Sequence, residues 1–263
     1  MKKNLLLGSF LTFFCVEVIG QDHLYSQFYN APVYLNPALN GQFDGDLRIN
    51  MIYRSQWTNI VGPLSYYSLS IDYSMPKYDG GFGLLLTRSS EGTAYLNKTN
   101  ASGIYSYSVN FENAVLSFGI QAGITNRQID HDKLVFGDQI NESGIIPGGI
   151  TAASDMPFNN RFFFDSGAGI NLVWGSAMAG VSAQHLNKPD ETLTGTKSIL
   201  PMRLNGHLSY KMNLDRYLED DGPSLIPSVV YNTQANVKSI SAGMQFKRRG
   251  VNVGVWYRGE GKQ

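Results

Sequence analysis

The sequence holds one cysteine, Cys15, and that residue lies inside an N-terminal stretch with the form of an export leader. Lys2 and Lys3 give a positive start, Leu5 to Phe14 a short apolar run, and Val18 and Gly20 the small or tolerated residues of a cleavage site. Glu17 is unusual so close to the cut but lies outside the apolar run. The run is too short for a membrane-spanning helix. Residues 1–20 are therefore expected to be a signal peptide, with a mature chain starting at Gln21. Phe13 and Phe14 are too bulky for the positions before a lipidated cysteine. A mature chain without cysteine excludes disulfides, thiol nucleophiles and Cys-bound metals. An excess of either charge is also missing. Lys+Arg and Asp+Glu are both 21, and there is no basic stripe of the kind nucleic acid requires. No later segment reaches the ~18 consecutive apolar residues of a membrane helix. The mean hydropathy of −0.17 is nevertheless compatible with a membrane barrel, in which only alternate residues face lipid.

Catalytic motifs are missing too. There is no Gly-x-Ser-x-Gly elbow and no His-Glu-x-x-His helix, and Gly195-Thr196-Lys197-Ser198 has no glycine at Walker spacing. No enzyme activity and no cofactor are expected. Of the four histidines, His23 reads as a polar residue of the N-terminal tail. His131 sits in Asp130-His131-Asp132, the best metal candidate, although a solvated loop is the favoured reading. His185 reads as a loop cap or a partner contact at a strand end. His207 shares a strand face with Arg203 and Asn205, which suggests a hydrogen-bonded place in a polar interior.

What is present is alternation with period two. Leu47, Ile49, Met51, Tyr53 and Trp57 alternate with Arg48, Asn50, Arg54 and Gln56, with Ile52 as the exception. Leu116, Phe118, Ile120, Ala122 and Ile124 alternate with Ser117, Gly119, Gln121, Gly123 and Thr125, and Val251 to Arg258 behaves likewise. Successive side chains of a strand point to opposite faces, so each segment has an apolar and a polar face. A soluble sandwich buries the apolar face, whereas a membrane barrel turns it out to lipid. Segments of about 10–12 residues suit a tilted membrane-crossing strand. Tyr53, Trp57, Tyr66, Tyr67, Tyr73, Trp174, Trp256 and Tyr257 lie near strand ends, as an interfacial girdle would. Arg48, Arg54 and Gln56, with Asp72, Arg88 and Asp165, are the candidates for an inward, charged lining.

Strands are expected near 46–57, 63–74, 80–89, 98–110, 114–126, 162–173, 176–186, 201–213, 223–234, 237–247 and 250–258, an all-β antiparallel outer-membrane barrel. Asp79-Gly80-Gly81, Glu91-Gly92, Trp174-Gly175-Ser176, Arg248-Arg249-Gly250 and Asp220-Asp221-Gly222-Pro223 supply the turns. Two stretches do not fit hairpins: Gln21 to Phe43, and Arg127 to Arg161 with its Gly/Pro run near Ile146–Gly149. The first belongs to an extended N-terminal segment, 21–45, in which Asn36-Pro37 favours extended backbone. Gln27, Phe28, Tyr29, Tyr34, Asn36 and Pro37, with Tyr25, are its candidate contacts, either as aromatic anchors for a partner or as a plug within the barrel. The polar ending Glu260-Gly261-Lys262-Gln263 differs from the usual aromatic end of a closing strand, so the barrel of residues 46–263 is expected to lack its last strands.

Several of these residues together resemble the PorP/SprF family of the type IX secretion system. They are Gln27-Phe28-Tyr29, Pro32, Leu35-Asn36-Pro37-Ala38 and Gly41; Tyr53-Arg54-Ser55-Gln56-Trp57; and Tyr105-Ser106-Tyr107. Lys133 to Gln139, His185-Leu186 with Pro189, and Gly254 to Arg258 extend the likeness in order along the chain. The family's later Ser-Tyr-Asp segment and terminal His-Glu strand are not found here. The resemblance implies an outer-membrane barrel of about fourteen strands in Bacteroidota. It also implies partners: outer-membrane lipid, type IX secretion components, and secreted surface proteins with a C-terminal sorting domain, gliding adhesins among them. The competing readings are a small-molecule channel or porter, a soluble β-sandwich adhesin, and, most distantly, a phospholipase-type hydrolase.

Overall fold

The computed structural model describes residues 22–59, 62–92, 96–130, 134–142, 144–146, 160–193, 195–215 and 222–262. The strand sequence opens with β1 (Leu47–Gln56), β2 (Leu64–Met75), β3 (Gly80–Glu91), β4 (Leu96–Asn110) and β5 (Ala114–Gln128). After a two-residue hairpin of β6 (Ile140–Asn141) and β7 (Gly144–Ile145) come β8 (Asn160–Trp174), β9 (Ala177–Gln184) and β10 (Arg203–Tyr210). The last are β11 (Met212–Asn213), β12 (Ser224–Gln234), β13 (Val237–Arg248) and β14 (Val251–Lys262). Apart from β6 and β7, they form one antiparallel sheet ordered β1-β2-β3-β4-β5-β8-β9-β10-β12-β13-β14, with β11 continuing the pairing to β12. Among the described residues β1 pairs only with β2 and β14 only with β13, so hydrogen bonds do not close the sheet.

Period-two patterning produces this sheet directly. Each expected strand is present, and the longest, β4, β5 and β8, have 15 residues. At about 3.3 Å per residue they cross a hydrocarbon layer of about 30 Å even when tilted. The hairpins close on residues that accept left-handed backbone: Asp79 (φ 49°), Gly175 (φ 55°) and Arg249 (φ 50°). Among the strands, those of the β6–β7 hairpin were not expected, being too short to show a period.

The distribution of side chains is inverted relative to a soluble sandwich. Ile49, Met51, Ile120, Ile124, Val181 and Val255 are among many large apolar residues left exposed. The buried set is mostly Ser, Asn, Gln and Thr with a few charges, such as Ser106, Ser117, Asn171 and Asp72. Folding in water would not leave such an apolar exterior around a polar interior; a membrane barrel requires it. Exposed aromatics gather toward both strand ends, with Tyr53, Tyr67 and Trp57 at one and Tyr73, Trp174 and Tyr210 at the other.

Three expectations about facing are corrected. Arg88 is exposed and points outward beside Tyr67, its register partner, because even-numbered residues of β3 face out. At three residues from the strand end its long stem can carry the charge to the interface. Tyr66 and Trp256, by contrast, point inward: Tyr66 is 5% exposed, and Trp256 stacks on Tyr29 and meets Phe28 edge-on. Ile52, which breaks the alternation of β1, packs on the inner cluster of Tyr25, Ala31 and Tyr66.

Strand order defines two ends. The connections 57–63, 92–95, 129–159, 185–202 and 235–236 lie at a loop end. The connections 76–79, 111–113, 175–176, 214–223 and 249–250 lie at a turn end.

Candidate functional site

Residues 22–42 occupy the concave, polar side of the sheet. The segment is not extended throughout, as had been expected for 21–45. Phe28–Asn30 and Pro37–Leu39 form 3-10 turns and Pro32–Leu35 (α1) a single α-turn. Pro32 and Pro37 sit at first helical positions, where a missing N–H costs nothing. Asn36 between them is extended (φ −152°, ψ 120°), as a residue before proline should be.

Asn36 is fully buried and spends its side chain twice. Its Oδ1 accepts from the Ala38 N–H at 2.9 Å, capping the following turn, while Nδ2 donates to the carbonyls of Ile170 (3.0 Å) and Val181 (3.3 Å). Glycines on the inner face give it room. A Cβ at Gly169 would fall on the Asn36 carboxamide, and one at Gly119 on the backbone of Pro37 and Ala38. Val33 meets inward Leu85 and Ile104, so even the apolar contacts of the segment are matched by the few apolar residues of the inner face.

Charged residues of the wall hold the backbone of the segment. Arg48 pairs with buried Asp72 at 2.5 Å, donates to the Leu39 carbonyl at 3.0 Å and lies over the Phe43 ring. Arg54 donates to the Leu24 carbonyl, and Arg258 to the Tyr25 carbonyl at 2.8 Å. Arg203 donates to the Tyr34 hydroxyl at 2.7 Å, and that hydroxyl donates to the His23 carbonyl at 2.9 Å. Gln184 donates to the Tyr34 carbonyl, and Ser182 to that of Leu35, both at 2.7 Å.

At the loop end the segment starts in an ionic cluster. Asp22 accepts from Lys98 (3.1 Å), His185 Nε2 (2.5 Å) and Gln234 (3.1 Å), and its own N–H donates to Gln234 Oε1 at 2.8 Å. His185 reaches Asp165 through Nδ1 at 2.8 Å. Glu191 joins Arg127 (2.6 Å) and Lys98 (3.6 Å) to the same cluster. Burial pushes the His185 imidazole down, but Asp22 and Asp165 more than offset this and raise it to about 9. Burial pushes the Asp22 carboxyl up, yet Lys98, His185 and Arg203 hold it well below the usual carboxylate range. The His23 ring stacks on Tyr66 and Tyr34. A cavity of about 140 Å³ adjoins this cluster, lined by Asp22, Lys98, Gln121, Asp165, His185 and Glu191.

The sequence candidates therefore fall as follows. Tyr34, Asn36, Pro37, Arg48 and Arg54 meet in the interior. Phe28 and Tyr29 are half-buried against Trp256. Gln27 is exposed and accepts from Asn30 at 3.0 Å, and Gln56 is half-buried at the end of β1. Two histidines differ from expectation: His23 is a stacked interior residue rather than a tail residue, and His185 joins two carboxylates rather than capping a loop. Of the metal candidate Asp130-His131-Asp132, residues 131 and 132 lie outside the described residues, as do residues 1–20. Among the described residues no group of three or more His, Cys, Asp or Glu is placed to hold a metal ion. Asp22, Lys98, Glu191 and the glycines at 119 and 169 were missed; a glycine on a polar strand face, opposite no apolar neighbour, was the available signal.

The sequence profile of a family described as type IX secretion system membrane protein PorP/SprF matches residues 18–262. No curated protein and no solved structure matches the chain. Among the described residues no helix is long and apolar enough to cross a membrane, which leaves crossing by strands open.

Proposed function

Because the chain belongs to the PorP/SprF family of type IX secretion system membrane proteins, we propose that it is an integral outer-membrane accessory of that system, assisting the secretion and surface anchoring of large proteins such as adhesins. In this reading it is not an enzyme. It works by binding secretion components and clients that carry a C-terminal sorting domain, in bacteria of the Bacteroidota type, where such clients include gliding adhesins. Residues 1–20 serve as the cleaved export leader.

The observation that carries the reading is the inverted side-chain distribution combined with a filled interior. An apolar outside fits lipid. An inside bonded to the chain's own residues 22–42 leaves the loops and mouths as the surfaces with which to act. The porter reading requires a free aqueous path, and the same segment weighs against it.

The test is recovery of the tagged full-length protein from native outer membrane in mild detergent, read by mass spectrometry. Co-recovery of secretion components or a large surface protein is expected. Recovery of the protein alone, from a membrane in which those components are present, would contradict the reading.

A further inference from the structure

The segment that fills the interior has a direction. Its last residues bond at the turn end: Gln42 Nε2 donates to Ser108 at 2.8 Å, and Gly41 N–H to Asp72 at 3.3 Å, close to the 76–79 and 111–113 connections. Its first residue bonds at the loop end. Asp22 meets Lys98 just after the 92–95 connection, Gln234 just before 235–236, and His185 in the 185–202 connection. Between them, Leu24 and Tyr25 are held by Arg54 and Arg258, and Asn36 by β8 and β9. The backbone thus runs the length of the interior before β1 begins at the turn end.

In membrane barrels the short turns face the periplasm and the long loops face outward. The two longest connections, 129–159 and 185–202, are both at the loop end. We infer that the chain crosses the membrane once through its own lumen before its first strand, so that Asp22 stands at the outer mouth. The ionic cluster of Asp22, Lys98, His185 and Gln234 holds the segment there. The inference rests on the membrane-barrel reading and is independent of any role in secretion.

The test uses the full chain in its native host, with a short epitope inserted between Gln21 and Asp22. The same epitope is placed between Ala235 and Asn236 at the loop end and between Arg249 and Gly250 at the turn end, in separate proteins. Antibody labelling of intact cells is expected for the first two, and labelling of the third only after permeabilisation. Labelling of the Gln21 insertion only after permeabilisation, when the Ala235 insertion labels intact cells, would overturn the crossing. Labelling of the Arg249 insertion alone on intact cells would reverse the orientation and overturn it as well. If the first insertion prevents assembly, Gln21→Cys with a membrane-impermeant maleimide reads the same point without added chain. Loss of partner recovery with unchanged labelling would count against the secretion role and leave the crossing intact.

Discussion

Arg54 in β1 and Arg258 in β14 donate to the carbonyls of adjacent residues, Leu24 and Tyr25. The first and last strands are thus brought round to one short piece of chain, although no backbone hydrogen bond joins them among the described residues. The segment therefore bridges the two edge strands through these two bonds. Replacing either arginine with leucine should remove a charge-assisted bond of about 1.5–3 kcal/mol. The expected outcome is faster proteolysis of residues 22–42 in detergent-solubilised protein, with the heat-modifiable barrel band retained. Loss of the band in both variants would make the arginines braces of the sheet rather than of the segment.

The Asn36 carboxamide joins two jobs that no other side chain in that place can combine. Asn36→Ala loses the cap of the Pro37 turn and leaves the carbonyls of Ile170 and Val181 without that donor. A destabilisation of about 1–3 kcal/mol is expected, read as a lowered Tm of the purified protein. Asn36→Asp keeps the cap but offers no donor, and should fall at least as far.

Gly119 tests the close approach of the segment. Gly119→Val would place side-chain atoms on the Pro37–Ala38 backbone, which cannot retreat as a flexible side chain can. Overpacking of about 1–3 kcal/mol is expected, expressed as release of the segment. Gly103, beside which a Cβ meets nothing, should accept alanine without effect.

The same geometry makes the hold on the segment depend on pH from two sides. The folded value of His185, about 9, lies above its ordinary 6.5, so its contribution is complete below about 6.5 and is lost as pH rises through 9. The Asp22 carboxyl is held below its ordinary 3.8, so its contribution is complete above about 3.8 and is lost as pH falls below it. Protection of the segment from protease should therefore be greatest between about pH 4 and 6.5. His185→Gln should flatten the alkaline limb and leave the acid limb that belongs to Asp22.

The lipid face gives the sharpest contrast between neighbours. Ile120 is 61% exposed on the outer face and Gln121 lines the inner cavity. Ile120→Arg should cost roughly 2–4 kcal/mol near the midplane and impair assembly, whereas Gln121→Arg should be far milder. Equal tolerance, measured by folding into vesicles, would contradict the assignment of faces.

Most of the sheet was legible because a strand's period of two survives in any sequence that separates two solvents. The ladder from Leu47 to Arg258 follows from alternation and turn residues, whereas the continuation of β14 to Lys262 was read as a polar ending. Facing failed where one residue serves an unusual neighbour. Ile52 and Tyr66 look misplaced on a polar face until Tyr25 is packed against them. Trp256 reads as girdle until Phe28 and Tyr29 arrive. The interior site was legible only as a list of aromatics and polar residues in 21–45, because its partners come from strands up to 233 residues away in sequence, as Tyr25 and Arg258 show. No local period records such a pairing.

The central claim is that this is a membrane barrel whose lumen is occupied by its own residues 22–42 and which acts by binding. The measurement that tests it most directly is ion conductance of the purified full-length protein in planar bilayers, with insertion verified by heat-modifiability. The account predicts no steady open-pore current from the wild-type protein, and current after deletion of residues 22–41. A steady ohmic conductance from the wild-type protein would contradict it and favour a porter.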